Sequence, residues 1–346
     1  MKQHIQVLRR VGKPTRIFHS TAGTRVLVLP YGGRVLGLYS PRSEENFYWT
    51  HSALESVDSA RAFYASDQWH NSGGDRTWLA PEVDLFFPEF PKLDVYYQQR
   101  SLDPGNYRVL KSGASFKLVN RLEVKLSRLK KRVSLQITKR FAPALNPLRY
   151  ERGLDLPGVE YAGYTQFTSL DLVGASRGVK AALGLWNLVQ MPHGGDLLIP
   201  TYSRTEPFRV FGSIPGKDLT ISDHLVRYRM RQMGEHKISI RAVATCGRVG
   251  YLRLNGRYST LIIRNFVVNP SGEYVDAPWQ DPGSLGFSTQ ACNINSGLGR
   301  FSELEYHIPA IGRHTGAIRC EDAAQVWAFR GSARNIQRIS KILLTG

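Results

Sequence analysis

Residues Arg121 to Arg140 read RLEVKLSRLKKRVSLQITKR, and their reading decides the fold class. Leu122, Val124 and Leu126, then Val133, Leu135 and Ile137, alternate with polar positions. That is the two-residue period of a strand with one buried face, run twice. Lys130, Lys131 and Arg132 mark the turn between the runs, with Arg and Lys on the wet face.

The same alternation recurs outward from this hairpin in TRVLVLPYGGRVLGLYS, YTQFTSLDLV, VRYRMRQ, HKISIRAVAT and YSTLIIRNFVV. These segments are rich in β-branched and aromatic residues and end at Gly, Pro, Asn or Asp, as strands do. The 32 glycines and 18 prolines supply turns at short intervals. Helical periodicity is confined to Ser52–Arg61, Pro278–Leu285 and Ala333–Leu344. No composition shift, low-complexity linker or fixed-period repeat divides residues 1–346. The expectation is a single all-β domain of many antiparallel strands with few short helices. Two stacked sheets are favoured over a closed barrel, because more than ten strands usually split into layers.

Composition sets outer limits. Charged residues at 21% and aromatics at 11% exclude a disordered chain. No apolar run approaches the ~18 residues of a membrane-spanning helix. The first twenty residues lack the apolar core of a secretory signal, so the default address is cytoplasmic and no membrane partner is expected. Cys246, Cys292 and Cys320 are too few and too scattered for a disulfide scaffold or a zinc site, and neither a metal nor a cofactor is expected.

The net charge of +18 raises a nucleic-acid partner, but its distribution argues against one. Residues 87–260 hold 28 basic and 13 acidic residues, while the flanking quarters are near balance, so the excess follows the strand-rich middle. No helix-turn-helix, zinc finger or aromatic RNA-binding signature accompanies it. A solvated basic sheet face accounts for the charge without any nucleic acid.

Three polar clusters stand on apolar ground. In HNSGGDRTWLAPEVDLFFPEF, Gly73-Gly74 permits a tight bend, and Arg76, Trp78, Glu82 and Asp84 crowd together after it. Arg76 offers a planar fork for hydroxyls or carboxylates and Trp78 a flat face for a sugar ring. The alternative is a loop in which Arg76 pairs with Glu82 or Asp84. In ALGLWNLVQMPHGGDLLIPTY, a strand presents Trp186, Asn187 and Gln190, and His193 follows in a turn, where histidine is more often solvated than catalytic.

FSELEYHIP is the most informative. An extended strand turns Glu303, Glu305 and His307 to one face and Leu304, Tyr306 and Ile308 to the other. Neighbouring carboxylates repel, which lifts at least one into a range useful for acid–base chemistry. The alternative is an edge strand with a wet polar face. A divalent ion could use two carboxylates and an imidazole, but no further ligand group stands at suitable spacing.

At these clusters the chain resembles the galactose mutarotase-like superfamily, the aldose 1-epimerases and their uncharacterised relatives. VLVLPYGGRVLGLYSP is similar to the opening strand pair. GGDRTWLAPE resembles a Gly-Gly-x-Arg-x-Trp-x-Ala-Pro-Glu signature, GLWNLVQ the aromatic-Asn-Leu strand, and SELEYHIP the late strand carrying the catalytic glutamate, which falls on Glu305. The resemblance implies an antiparallel β-supersandwich that binds a small sugar or oligosaccharide.

It further implies that Glu305 takes a proton from the anomeric hydroxyl while an acid protonates the ring oxygen. Arg76, Trp78, Glu82, Trp186, Asn187 and Gln190 would then hold substrate, with Glu303 beside the base. The chain departs from the epimerases in one place that matters. Their histidine four residues before the strand asparagine is Leu183 here, and their early Asn-His segment has only His70-Asn71 in the right region. His193 or His307 would have to supply the acid. A carbohydrate-binding protein without turnover, a lyase or hydrolase acting on acidic polysaccharide, and a polyanion binder remain open beside mutarotation.

Overall fold

The computed structural model describes all residues except 21, 114, 256–257, 279, 282, 313–314 and 346. Strands are numbered in chain order. The first sheet runs β1 (Arg16–His19), β2 (Arg25–Leu29), β3 (Arg34–Tyr39), β4 (Asp75–Ala80), β9 (Ala182–Pro192), β18 (Gly299–His307), β17 (Phe287–Ser296), β14 (Gly234–Arg241), β11 (Phe208–Phe211). A short β19 (Ile311–Gly312) also pairs with β9.

The second sheet runs β12 (Leu219–Ile221), β13 (Leu225–Arg229), β10 (Asp196–Pro200), β15 (Arg248–Arg253), β16 (Ser259–Asn265), β20 (Arg319–Gly331), β8 (Glu160–Leu172), β7 (Lys131–Pro143), β6 (Ser115–Leu126), β5 (Arg108–Ser112). Pairing between successive strands is antiparallel, as in β6–β7 and β17–β18. The protein is an antiparallel two-sheet β-sandwich.

Alternation along β6 explains how the second sheet stands. Leu118, Asn120, Leu122, Val124 and Leu126 are buried while Arg121, Glu123 and Lys125 are exposed. On β7, Val133, Leu135 and Ile137 face the same interior, and so does Lys139. The expectation that every Arg and Lys of the hairpin lies on the wet face therefore fails at Lys139, which shares the parity of the apolar positions. Its ammonium donates to the Gly33 carbonyl at 2.8 Å, and burial pulls its pKa down to about 8.

The apolar core fills the space between the sheets, with Val189, Leu304, Ile238 and Ala291 from one and Leu135, Ile137, Tyr251 and Ile262 from the other. Polar ties cross the same gap. Arg264 of β16 donates to Asp75 of β4 at 2.6 Å, Tyr164 of β8 donates to the same carboxylate at 2.9 Å, and Tyr251 of β15 donates to Ser302 of β18 at 2.9 Å. Buried polar groups need such partners, and these also fix how the sheets face each other.

Among the described residues, four short α-helices lie outside the sandwich: α1 (Lys2–Arg10), α2 (Val57–Ala65), α3 (Glu82–Leu85) and α4 (Ala333–Ser340). Ser56 and Ser332 accept from Ser59 and Asn335 as N-caps of α2 and α4. Two expected helical segments thus form, and the third does not. Residues 278–285 turn at Pro278–Asp281 and Asp281–Ser284, with Trp279 and Pro282 outside the described residues. No helix among the described residues is long and apolar enough to cross a membrane.

Candidate active site

Register builds the site from the outer face of the first sheet, the side away from its partner sheet. Cross-strand partners in an antiparallel pair share a face, so each rung can be read from the pairing. One rung is Gln190, Glu303, Cys292 and Lys237 across β9, β18, β17 and β14. The next is Arg76, Leu188, Glu305, Gln290 and Ser239. The third holds Trp78, Trp186 and His307. The two-residue spacing of Glu303, Glu305 and His307 therefore places them one above another on three rungs.

The Gly-Gly bend sets β4 into this array. Gly73 and Gly74 have φ of +95° and +74°, and a Cβ on Gly74 would stand 2.2 Å from the Val35 carbonyl. Only glycine fits there, and the close approach seats β4 between β3 and β9. Arg76 then reaches past Leu188 to Glu303, donating at 2.8 Å, and Gln190 donates to the same carboxylate oxygen at 3.0 Å. Arg76 does not pair with Glu82 or Asp84; Asp84 accepts from Arg128 at 2.7 Å.

Glu305 is 1% exposed. Its Oε2 accepts from the Trp186 indole at 2.9 Å and lies 3.3 Å from the Lys237 ammonium. Burial pushes its pKa up, Lys237 opposes, and Glu303 and Glu82 add to the rise, leaving it at about 7. Lys237 also lies 3.7 Å from Glu82 and 4.4 Å over the Trp186 ring. Burial lowers its proton affinity, but Glu305, Glu82 and Asp276 outweigh that and hold it firmly protonated.

His307 sits against Trp186, ring centroids 5.4 Å apart, and its Nε2 lies 2.8 Å from the Gln290 amide oxygen. An amide oxygen only accepts, so Nε2 carries the proton and Nδ1 is a bare acceptor. Burial drops its pKa to about 4 despite Asp276 at 3.9 Å, so the imidazole is neutral at pH 7. Asp276 accepts from the Glu82 backbone amide at 3.0 Å and from Gln290 at 2.9 Å. Tyr96 donates to Glu82 at 3.0 Å, and the cluster meets solvent along this side: Glu82 is 23%, Asp276 13% and Tyr96 40% exposed.

Several expected roles need correction. Asn187 has the opposite parity to Trp186 and Gln190, so it faces the interior and accepts from Thr77 at 2.7 Å. His193 lies at the far end of β9, its Nε2 2.9 Å from the Oδ1 of Asn293, which pairs with Ser302 and so lies on the inner face. It is not brought to Glu305. Trp78 and Trp186 do not offer free stacking faces: they are buried, Arg76 covers Trp78 at 4.1 Å, and Lys237 and His307 flank Trp186. The Trp78 indole donates to Asp103 at 2.9 Å. With Arg76 and Trp186 both buried, no sugar-sized hollow opens between them in this conformation.

Lys237, Gln290 and Asp276 were not foreseen. HKISI reads as a strand, but which strand it joins is a property of the sheet order. Cys292 brings its sulfur within 4.8 Å of carboxylate oxygens of Glu303 and Glu305. A cation there would have to displace Arg76 and Lys237 from the glutamates, and burial with Glu305 and Glu303 nearby keeps the Cys292 thiol protonated. This donor set is poorly suited to a metal.

No protein-family model and no curated protein matches the chain. Solved structures do. A galactose 1-epimerase from Lactobacillus acidophilus NCFM is similar over 92% of this chain and 94% of its own, at 8% identity and TM-score 0.43. A galactose mutarotase related enzyme from Lactobacillus acidophilus matches over 90% and 96%, at 7% identity and TM-score 0.42. An alpha-galactosidase from Geobacillus stearothermophilus matches 92% of this chain with 41% of its own, at 10% identity and TM-score 0.34. The chemistry of the site rests on its own geometry.

Proposed function

We propose that this chain acts on a carbohydrate, with Glu305 exchanging a proton with a sugar hydroxyl in an aldose 1-epimerase-like reaction. One observation carries the reading. Glu305 is a buried carboxyl whose pKa of about 7 populates both protonation states at neutral pH, on a face crowded with polar groups. A proton carrier works best when its pKa lies near the working pH, and such a group typically contributes ~10²–10⁴-fold. Arg76 Nε, Gln190 Oε1 and His307 Nδ1 are buried on the same face without a partner among the described residues, which supports a polar ligand there.

In this reading the Glu305 carboxylate removes the proton of the anomeric hydroxyl, whose oxygen becomes the carbonyl oxygen. The C1–ring-oxygen bond breaks, its electron pair passes to the ring oxygen, and C1 becomes an aldehyde. Rotation about C1 and the reverse steps give the other anomer, returning the proton. His307 is neutral with an accepting Nδ1, so it orients a hydroxyl rather than acting as acid. The Lys237 ammonium, 3.3 Å from Glu305, is the donor placed to stabilise negative charge growing on the ring oxygen. Glu82 and Tyr96, both part-exposed, mark the side on which the site meets solvent.

A second reading, sugar binding without turnover, is favoured by the pairing of each central glutamate with a cation, Glu305 with Lys237 and Glu303 with Arg76. Polarimetric anomer exchange and calorimetric titration over a panel of aldoses and uronates separate the two. Exchange by the wild type that is lost in Glu305→Gln supports the enzyme. Binding with no exchange supports the second reading, and full exchange in Glu305→Gln removes Glu305 from its role.

A further inference from the structure

The outer face of β5, β6, β7 and β8 carries cations in an arrangement that sheet stability alone does not favour. The register sets Lys117 directly opposite Arg140 and Lys125 directly opposite Arg132. Like charges in directly opposed positions destabilise a strand pair. Arg121 stands between these two rungs, donating to the Gln136 amide oxygen at 2.9 Å, and Arg108 lies on the next strand opposite Val119. Among the described residues Lys117, Arg121, Lys125, Arg140 and Arg108 form no ion pair; Arg132 alone of the row is paired, with Glu123 at 2.9 Å. From Lys117 to Lys125 the row runs eight residues, about 26 Å at the rise of a strand.

The surface between the cations is hollowed. A cavity of about 280 Å³ lies between Lys117, Arg140, Thr138 and Ser169, and its far side carries Asp322 and Glu321, the latter paired with Arg319. A second, of about 630 Å³, is lined by Arg121, Lys125 and Arg132 among others. A third, of about 360 Å³, joins Arg108 to Arg121. Ser134, Gln136, Thr138 and Ser169 supply hydroxyls and an amide between the charges.

We propose that this face docks an acidic polysaccharide, a linear chain of uronate-bearing sugars lying along β6 and β7 from the Lys117/Arg140 rung to the Lys125/Arg132 rung. Arg forks and Lys ammonium groups match carboxylates, and the intervening hydroxyls and amide match sugar hydroxyls. A single-stranded nucleic acid would need aromatic platforms for its bases. Beside this row stand Phe167, with Arg140 4.8 Å over its ring, and Tyr97 at the second cavity, two separate rings rather than a run of stacking platforms. The choice of a polysaccharide over other polyanions rests on the sugar reading of Glu305; the cationic row does not.

The test is fluorescence anisotropy with labelled polygalacturonate oligomers, alongside neutral dextran and an oligothymidylate of equal charge. The proteins are the wild type, Glu305→Gln, and the quadruple variant Lys117→Gln/Arg121→Gln/Lys125→Gln/Arg140→Gln, whose four sites lie on the outer face. We expect wild-type binding to polygalacturonate that weakens as NaCl rises from about 50 to 200 mM, as screening requires. We expect a loss of about tenfold or more in the quadruple variant at an unchanged unfolding midpoint, and no loss in Glu305→Gln. Salt-insensitive binding, equal binding by the quadruple variant, equal binding of dextran, or tighter binding of oligothymidylate each overturns the proposal. The Glu305 reading fails separately, by unchanged anomer exchange in Glu305→Gln.

Discussion

Replacing Lys237 by Met should convert Glu305 from a group poised at neutrality into a permanently protonated acid. The ammonium stands 3.3 Å from the carboxylate, and both groups are buried. At an effective dielectric constant of about 20 that pair is worth about 5 kcal/mol, or about 3 to 4 pKa units. Lys237 is the main influence holding Glu305 down against burial, Glu303 and Glu82. Its removal therefore moves the titration from about 7 towards 10 or above. At pH 7 the ionised fraction falls from about one half to about one in a thousand, and proton abstraction with it. Met is similar in length and apolar, so it fills the space beside Trp186. The assay is isotope-edited infrared titration of the protonated carboxyl band, with Glu305→Gln identifying the band, beside anomer exchange against pH. A midpoint in Lys237→Met within about one unit of the wild type would refute the electrostatic account of this site.

Two further outcomes concern the interior. Arg264→Met strands the Asp75 charge between the sheets, where Arg264 donates at 2.6 Å, and should cost about 3 to 5 kcal/mol by urea unfolding. Adding Asp75→Asn should restore much of it, and a single-variant loss under about 1 kcal/mol would contradict the argument. Burial lifts Asp322, which accepts from Tyr306, from the usual 3.8 to about 6. A folded pKa above the unfolded one gives stability that is full below pH 3.8 and is lost as pH rises through 6, a span of about 3 kcal/mol. Asp322→Asn should flatten the fall in unfolding free energy between those two pH values, and an unchanged slope would rule out Asp322 as its source.

The sequence alone determined that this is an antiparallel β protein and that Glu303, Glu305 and His307 share a face, because a strand's period of two is a local property. Parity along β9 was equally local and already separated Asn187 from Trp186 and Gln190. What only the tertiary structure decided was which strands lie side by side. Lys237 reaches Glu305 because β14 joins β17 and β17 joins β18, with 68 residues separating the two in the chain. The same holds for Arg76 on Glu303 and for the like-charged rungs of β6 and β7, where hairpin register fixes which cations meet. Loop closure over such separations has no signature in residue type, and burial, which sets the proton affinity of Glu305, exists only once both sheets and the covering segments are assembled.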